Sequence, residues 1–291
     1  MNTIRIIPRL DVKGPNLVKG IHLEGLRVLG KPEKFARYYY ENGADELIYM
    51  DVVASLYGRN SLIDIVERTS KEIFIPLTVG GGLRTIDDIR NILRAGADKV
   101  SLNTAAINNP NLIKEASKIF GSSTILISIE AIRKPDGTYE AFTDNGREKT
   151  GVDVFQWAER VAEYGAGEIM VTSINNEGTG KGFDLELTNK IAESVPIPVI
   201  ACGSAGTVGH IADVIEQGKV DAVSIASILH YNYIRHHKLE DDYSGEGNIE
   251  YLKKQKSGFS RIQDTSLNEI KENMIQQGIN CRYSSEETVH G

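Results

Sequence analysis

The sequence predicts an α/β fold, a (βα)8 TIM barrel assembled from two similar halves. Three observations point to it. Short β-branched runs alternate with helical patterns along the chain, the signal of parallel βα units. Two of these runs, Ile4-Arg5-Ile6-Ile7-Pro8-Arg9-Leu10-Asp11 and Ile125-Leu126-Ile127-Ser128-Ile129-Glu130, lie about 120 residues apart, and each ends in an acid. Each half also carries a small-residue loop, Val79-Gly80-Gly81-Gly82 or Ala201-Cys202-Gly203-Ser204-Ala205-Gly206. A helix pattern follows each loop, then a strand ending in small polar residues, Ser101-Leu102-Asn103-Thr104 or Ser224-Ile225-Ala226-Ser227. Such duplication favours a closed barrel over an open sheet.

The strands are expected at residues 4–10, 46–52, 75–79, 99–102, 125–131, 169–173, 199–202 and 222–225. Helices are expected between them at 32–42, 61–69, 86–95, 109–120, 152–164, 184–194 and 208–217. Several of these patterns run into a glycine, at Gly43, Gly96, Gly121, Gly165 and Gly218. That is the usual left-handed stop before the next strand. Residues 230–260 are polar and charged, with His236-His237-Lys238 and Glu240-Asp241-Asp242. The stretch is longer than an ordinary connection and is expected to be an insertion at the active-site face. A last helix is expected at 266–277 and a flexible tail at 284–291, so that residues 1–283 form a single barrel.

Composition narrows the function. The 291 residues are 41% hydrophobic and 25% charged, ordinary for a globular protein. A net charge of −7 argues against a nucleic-acid or anionic-membrane partner, so any phosphate affinity must come from local backbone amides. Two cysteines, Cys202 and Cys281, without CxxC spacing argue against a disulfide framework or a cysteine metal site. No basic-apolar leader and no apolar run near 18 residues is present, so a cytoplasmic location without membrane insertion is expected. No GxGxxG follows the first strand, and the histidines lack metal-ligand spacing. Neither cofactor nor metal is expected.

Strand side chains alternate, which places Arg5, Ile7, Arg9 and Asp11 on one face. The last inward residue at the C-terminal end of a barrel strand lines the active site. Asp11 and Glu130 therefore face each other from opposite walls as candidate acid and base. Gly81, Gly82, Asn103 and Thr104 form one expected phosphate site; Gly203, Ser204, Ala226 and Ser227 form the other. Lys19 lies in an expected flexible loop that closes over a phosphate. Arg9 needs a buried partner. Asp11 on the same strand and Glu130 across the interior are the two expected partners, Glu130 ahead of Asp11, and the pairing would lower that acid's pKa and make it a poor proton donor.

These residues carry a family resemblance over most of the chain. The segments Leu10-Asp11-Val12-Lys13, Val18-Lys19-Gly20, Thr78-Val79-Gly80-Gly81-Gly82, the run from Ala97 to Ala106, and Gly178-Thr179 with Gly182-Phe183-Asp184 resemble the HisF-type cyclase subunit of imidazole glycerol phosphate synthase. The resemblance implies a glutaminase partner of the HisH type. That partner releases ammonia, which passes through the barrel to a substrate with two phosphate ends. It assigns Arg5, Glu46, Lys99 and Glu168 to a charged ring where ammonia enters, and Asp98 to the partner interface. The ring alone does not separate a structural plug from a gate. Thr172 and Glu177 join the substrate set.

Two positions depart from the family pattern. Glu130 stands where the family carries Asp, and Asn175-Asn176-Glu177-Gly178 stands where an Asp usually precedes Gly-Thr. One extra methylene moves a carboxylate by ~1.5 Å, and a misplacement of ~1 Å can cost about a hundredfold in rate. With Pro8-Arg9-Leu10-Asp11 and the run Gly14 to Gly25, these departures tilt the reading to a subgroup that amidates bacterial surface sugars, with a sugar amidotransferase as a further partner. The alternatives are the histidine-pathway cyclase, a non-catalytic ammonia conduit, and a sugar-phosphate isomerase of the sister barrel family.

Overall fold

The computed structural model describes residues 3–54, 62–237 and 262–283. The first half runs β1 (Arg5–Lys13), β2 (Asn16–Ile21), β3 (Glu24–Gly30), α1 (Pro32–Glu41), β4 (Leu47–Asp51), α2 (Ile63–Thr69), β5 (Leu77–Gly80), α3 (Ile86–Arg94), β6 (Lys99–Leu102), α4 (Thr104–Asn108) and α5 (Asn111–Phe120). The second runs β7 (Ile125–Arg133), β8 (Tyr139–Thr143), β9 (Glu148–Asp153), α6 (Val154–Glu163), β10 (Glu168–Ser173), α7 (Leu185–Ser194), β11 (Val199–Cys202), α8 (Val208–Glu216), β12 (Ala222–Ile225), α9 (Ser227–His236) and α10 (Leu267–Gln276).

Eight parallel strands close in the order β1–β4–β5–β6–β7–β10–β11–β12 and back to β1. β1 and β7 are therefore diametrically opposed. Alternation along β1 divides the core. Ile6, Leu10 and Val12 pack outward with Phe35, Tyr39 and Tyr49 against the helices. Ile7 faces inward with Ile48, Leu126, Met170, Ile200 and Ala222. Each such buried Ile or Leu contributes about 1.5–3 kcal/mol relative to exposure. Among the described residues no helix is long and apolar enough to cross a membrane.

The expected strands are all present, with β1 ending three residues later than expected, at Lys13. Two hairpins were not expected: β2–β3 on β1 and β8–β9 on β7, each pairing antiparallel. They occupy matching places in the two halves. Lys19 consequently lies on strand β2 and is buried, not in an open loop. Gly43, Gly96, Gly121 and Gly165 take the positive φ expected of them, but Gly218 does not; Lys219 takes it instead, at φ 55°. Gly218 is needed for space, because a Cβ there would strike the carbonyl of Val214. The expected insertion begins inside α9, and residues 238–261 lie outside the described residues, as do 284–291.

One buried histidine fastens this frame to the site. His230 on α9 is fully buried; its Nδ1 lies 2.6 Å from Tyr39 Oη and its Nε2 3.0 Å from the Arg9 carbonyl oxygen. A carbonyl can only accept, so Nε2 carries the proton and Nδ1 accepts from the tyrosine hydroxyl. Burial, helped by Lys19, pushes the imidazole down to about 3 from the usual 6.5. The unfolded chain binds this proton below 6.5 and the folded chain does not until about 3. The group's stabilising contribution is thus present above 6.5 and is lost as pH falls toward 3. Unfolding measured from pH 7 to 4 should show wild type losing up to about 1.4 kcal/mol per pH unit relative to His230→Gln. Parallel curves for the two proteins would refute a neutral His230.

Candidate active site

At the N-terminal end of the barrel four charges form a closed ring. Arg5 Nη1 lies 2.6 Å from Glu46 Oε1 and 2.7 Å from Glu168 Oε1. Lys99 Nζ lies 3.1 Å from Glu46 Oε2 and 2.9 Å from Glu168 Oε2. Cation and anion alternate, so every charge drawn out of water meets two of the opposite sign. Burial works against the Arg5 charge, and Glu46 and Glu168 outweigh it, raising its pKa. Above the ring comes the apolar layer of Ile7, Ile48, Leu126, Met170, Ile200 and Ala222. Asp98 is exposed near this end, where its Oδ2 accepts from the Leu77 amide at 2.9 Å.

At the C-terminal end two cavities open on opposite halves. The first, of about 240 Å³, joins Gly81, Gly82, Asn103, Thr104 and Glu130. Gly81 must be glycine: its φ is 95°, and a Cβ would collide with the backbone of Asp51. Asn103 Nδ2 donates to Glu130 Oε2 at 3.1 Å and to the Phe142 carbonyl at 3.2 Å. The second, of about 10 Å³, joins Arg9, Lys19, Glu177, Gly203, Ser204, Ala226 and Ser227. Ser227 opens helix α9, whose N-terminal amides favour an anion. Thr172 is fully buried on β10, and its Oγ1 has no hydrogen-bond partner among the described residues.

Asp11 belongs to a buried cluster beside the second cavity. Arg9 Nε donates to Asp11 Oδ1 at 2.8 Å, and Arg9 Nη1 donates to Cys202 Sγ at 3.3 Å. Lys19 Nζ is bonded to Glu177 Oε1 and lies 3.9 Å from Asp11 Oδ2. Burial opposes both cations; Asp11, Cys202 and Glu177 outweigh it at Arg9, and Glu177 then Asp11 outweigh it at Lys19. Both pKa values are raised, and both groups stay charged.

Of its two expected partners Arg9 takes Asp11, and the favoured bond to Glu130 is not formed. Arg9 reaches its neighbour two residues along the same strand face, while Glu130 is held on the opposite wall by Asn103. The expected fall in the Glu130 pKa is corrected with it. Burial lifts this carboxyl to about 7, against the opposing pull of Arg9 and of the Gly146 amide. Glu130 therefore holds and releases a proton near neutrality.

The sequence reading missed Asp51, Ser128 and Asn145 on the first cavity and Gly178 and Gly180 on the second. Asp51 ends strand β4 as Asp11 nears the end of β1, so the same strand-end rule reaches it. Among the described residues no three His, Cys, Asp or Glu side chains gather as a metal set.

Fold and site together define a (βα)8 barrel with a charged ring at one end and a two-sided polar mouth at the other. The chain belongs to the histidine biosynthesis protein family, whose model matches residues 5–235. It is 58% identical over 206 residues to "Imidazole glycerol phosphate synthase subunit HisF" of Legionella pneumophila, covering 71% of this chain and 97% of that protein. Proteins of the same name from Alkaliphilus metalliredigens and Methanocaldococcus jannaschii are each 48% identical, over 234 and 250 residues. These alignments cover 80% and 79% of this chain and 93% and 92% of the relatives.

The high Glu130 pKa carries a stability cost with a definite sign. The folded state keeps this proton from 4.5 up to about 7, so the stabilisation is full below 4.5 and lost as pH rises through 7. Glu130→Gln should therefore melt above wild type at pH 8 and lose that advantage at pH 5. An advantage that is the same at both values would show that Glu130 titrates as an ordinary carboxyl.

Proposed function

We propose that this chain is the cyclase subunit of imidazole glycerol phosphate synthase. It takes ammonia from a glutaminase subunit docked over the charged ring and uses it at the C-terminal mouth. One observation carries the reading. A paired ionic ring at one end and two acids on diametrically opposed strands at the other share a single barrel axis. The names of its relatives support it.

In this reading the two cavities take the two phosphate ends of the substrate. Gly81, Gly82, Asn103 and Thr104 serve one, and Gly203, Ser204, Ala226 and Ser227 the other. Lys19 supplies a positive charge at the second. The substrate's reacting centre then spans the axis between Asp11 and Glu130. Ammonia addition, ring closure and elimination need a proton acceptor and a donor. Asp11, hydrogen-bonded to Arg9, is the acceptor; Glu130, protonated up to about 7, is the donor.

The histidine-pathway reading replaces the surface-sugar reading favoured by the sequence. The matching family is that of histidine biosynthesis proteins, and Arg9 does not engage Glu130, so a retuned site loses its main support. A sugar amidotransferase partner has no support here. The isomerase alternative leaves the ring without a use, and the conduit alternative leaves Glu130 without one.

The test is direct. Wild type, given the doubly phosphorylated histidine-pathway substrate and ammonium, should form imidazole glycerol phosphate. Its kcat should fall as pH rises through about 7, and Glu130→Gln should lower kcat by about a hundredfold or more. Absence of turnover by wild type with a glutaminase subunit supplied would overturn the assignment.

A further inference from the structure

The second cavity is filled by the protein's own carboxylate. Glu177, after β10, bonds Lys19 through Oε1 and lays Oε2 against Gly203, so closely that a Cβ at Gly203 would collide with it. Glu177 is 3% exposed, and its Oε2 has no hydrogen-bond partner among the described residues. Arg9 Nη2, on the same cavity, is likewise without one. An unpaired buried donor and an unpaired buried acceptor on one small cavity are unfavourable for the fold alone. Together with the α9 N-terminus and Lys19, they describe an anion site whose occupant is a side chain. The contrast in size agrees: about 10 Å³ here against about 240 Å³ on the opposite half.

We propose that Glu177 is a built-in plug of the second anion site, holding the place of a phosphate ester until the ester displaces it. The inference rests on the reading of this wall as a phosphate site. A carboxylate and a phosphate cannot share the site, because like charges in a desolvated pocket repel. Phosphate entry therefore requires Glu177 to swing off Gly203 and release Lys19. Lys19 then exchanges one anion for another while staying beside Asp11, 3.9 Å away. Filling the second site thereby changes the charge that faces Asp11. The extra methylene of Glu over Asp supplies ~1.5 Å of reach toward Gly203.

The experiment is an amide NMR titration of the intact chain with inorganic phosphate. Gly82 and Thr104 report the first site, and Gly203 and Ser227 the second. A plug in place nine-tenths of the time weakens apparent affinity by about tenfold. Glu177→Ala should therefore lower the second-site midpoint by about tenfold and leave the first unchanged, with Glu177→Asp falling between. An unchanged or raised second midpoint in Glu177→Ala overturns the plug while the first-site response leaves the phosphate reading intact. The first-site response also reports folding, and Glu177→Asp decides the matter by the same criterion if the alanine variant does not fold. No response at either pair in any of the three proteins would sink the phosphate reading and the plug together.

Discussion

A charge placed inside a closed barrel has to be met by an opposite one, and that requirement organises this molecule along its axis. Desolvation of a lone ion costs several kcal/mol, and a removed partner leaves that cost uncompensated. The structure answers twice. At the N-terminal end Arg5, Glu46, Lys99 and Glu168 close a ring with no net charge. Near the C-terminal end Arg9, Asp11, Lys19 and Glu177 repeat the pattern, two cations with two anions. Between them lies the apolar cluster of Ile7, Ile48, Leu126, Met170 and Ile200. The two networks share no ion pair with each other.

The duplicated halves use this rule differently. Asp11 lies among cations; among the described residues its counterpart Glu130 receives amide hydrogen bonds, from Asn103 and Gly146. Arg9 is the reason: β1 carries an arginine two residues below its acid, and β7 carries Ser128 at the matching place. One buried arginine therefore splits a symmetric pair of carboxyls into a paired anion and a protonatable acid. That split is what acid–base chemistry at neutral pH needs. His230 adds to it by fixing the Arg9 backbone with a hydrogen bond that leaves the ring neutral.

Much of this was legible in the sequence because periodicity is a local property. Alternation placed Arg5, Ile7, Arg9 and Asp11 on one face, and the structure puts them in the ring, the apolar layer and the mouth in that order. The hairpins were legible and went unread. Asp144-Asn145-Gly146 is a turn sequence, and all three residues take positive φ. Reading β8–β9 there would have brought Asn145 to the first cavity, and reading β2–β3 would have put Lys19 on a strand. The partner of Arg9 was not legible. Asp11 and Glu130 are both inward acids of the right depth, and only the distance across the barrel, which no pattern encodes, decides between them.

Glu130 and Glu177 show the same limit from another side. Each is a glutamate where the sequence resemblance leads to an expected aspartate, and each ends nearly fully buried. Sequence comparison treats the two changes alike, as one added methylene. In the fold their outcomes are opposite. Glu177 extends into a cationic cluster and finds Lys19 for one oxygen. Glu130 extends into a wall where Asn103 meets it and, among the described residues, no cation is hydrogen-bonded to it, and burial drives it toward the neutral form. The chemical meaning of a longer acid is set by what stands one bond length beyond it. Here that is a lysine carried by the unread hairpin β2–β3 in one case and an asparagine at the mouth of β6 in the other.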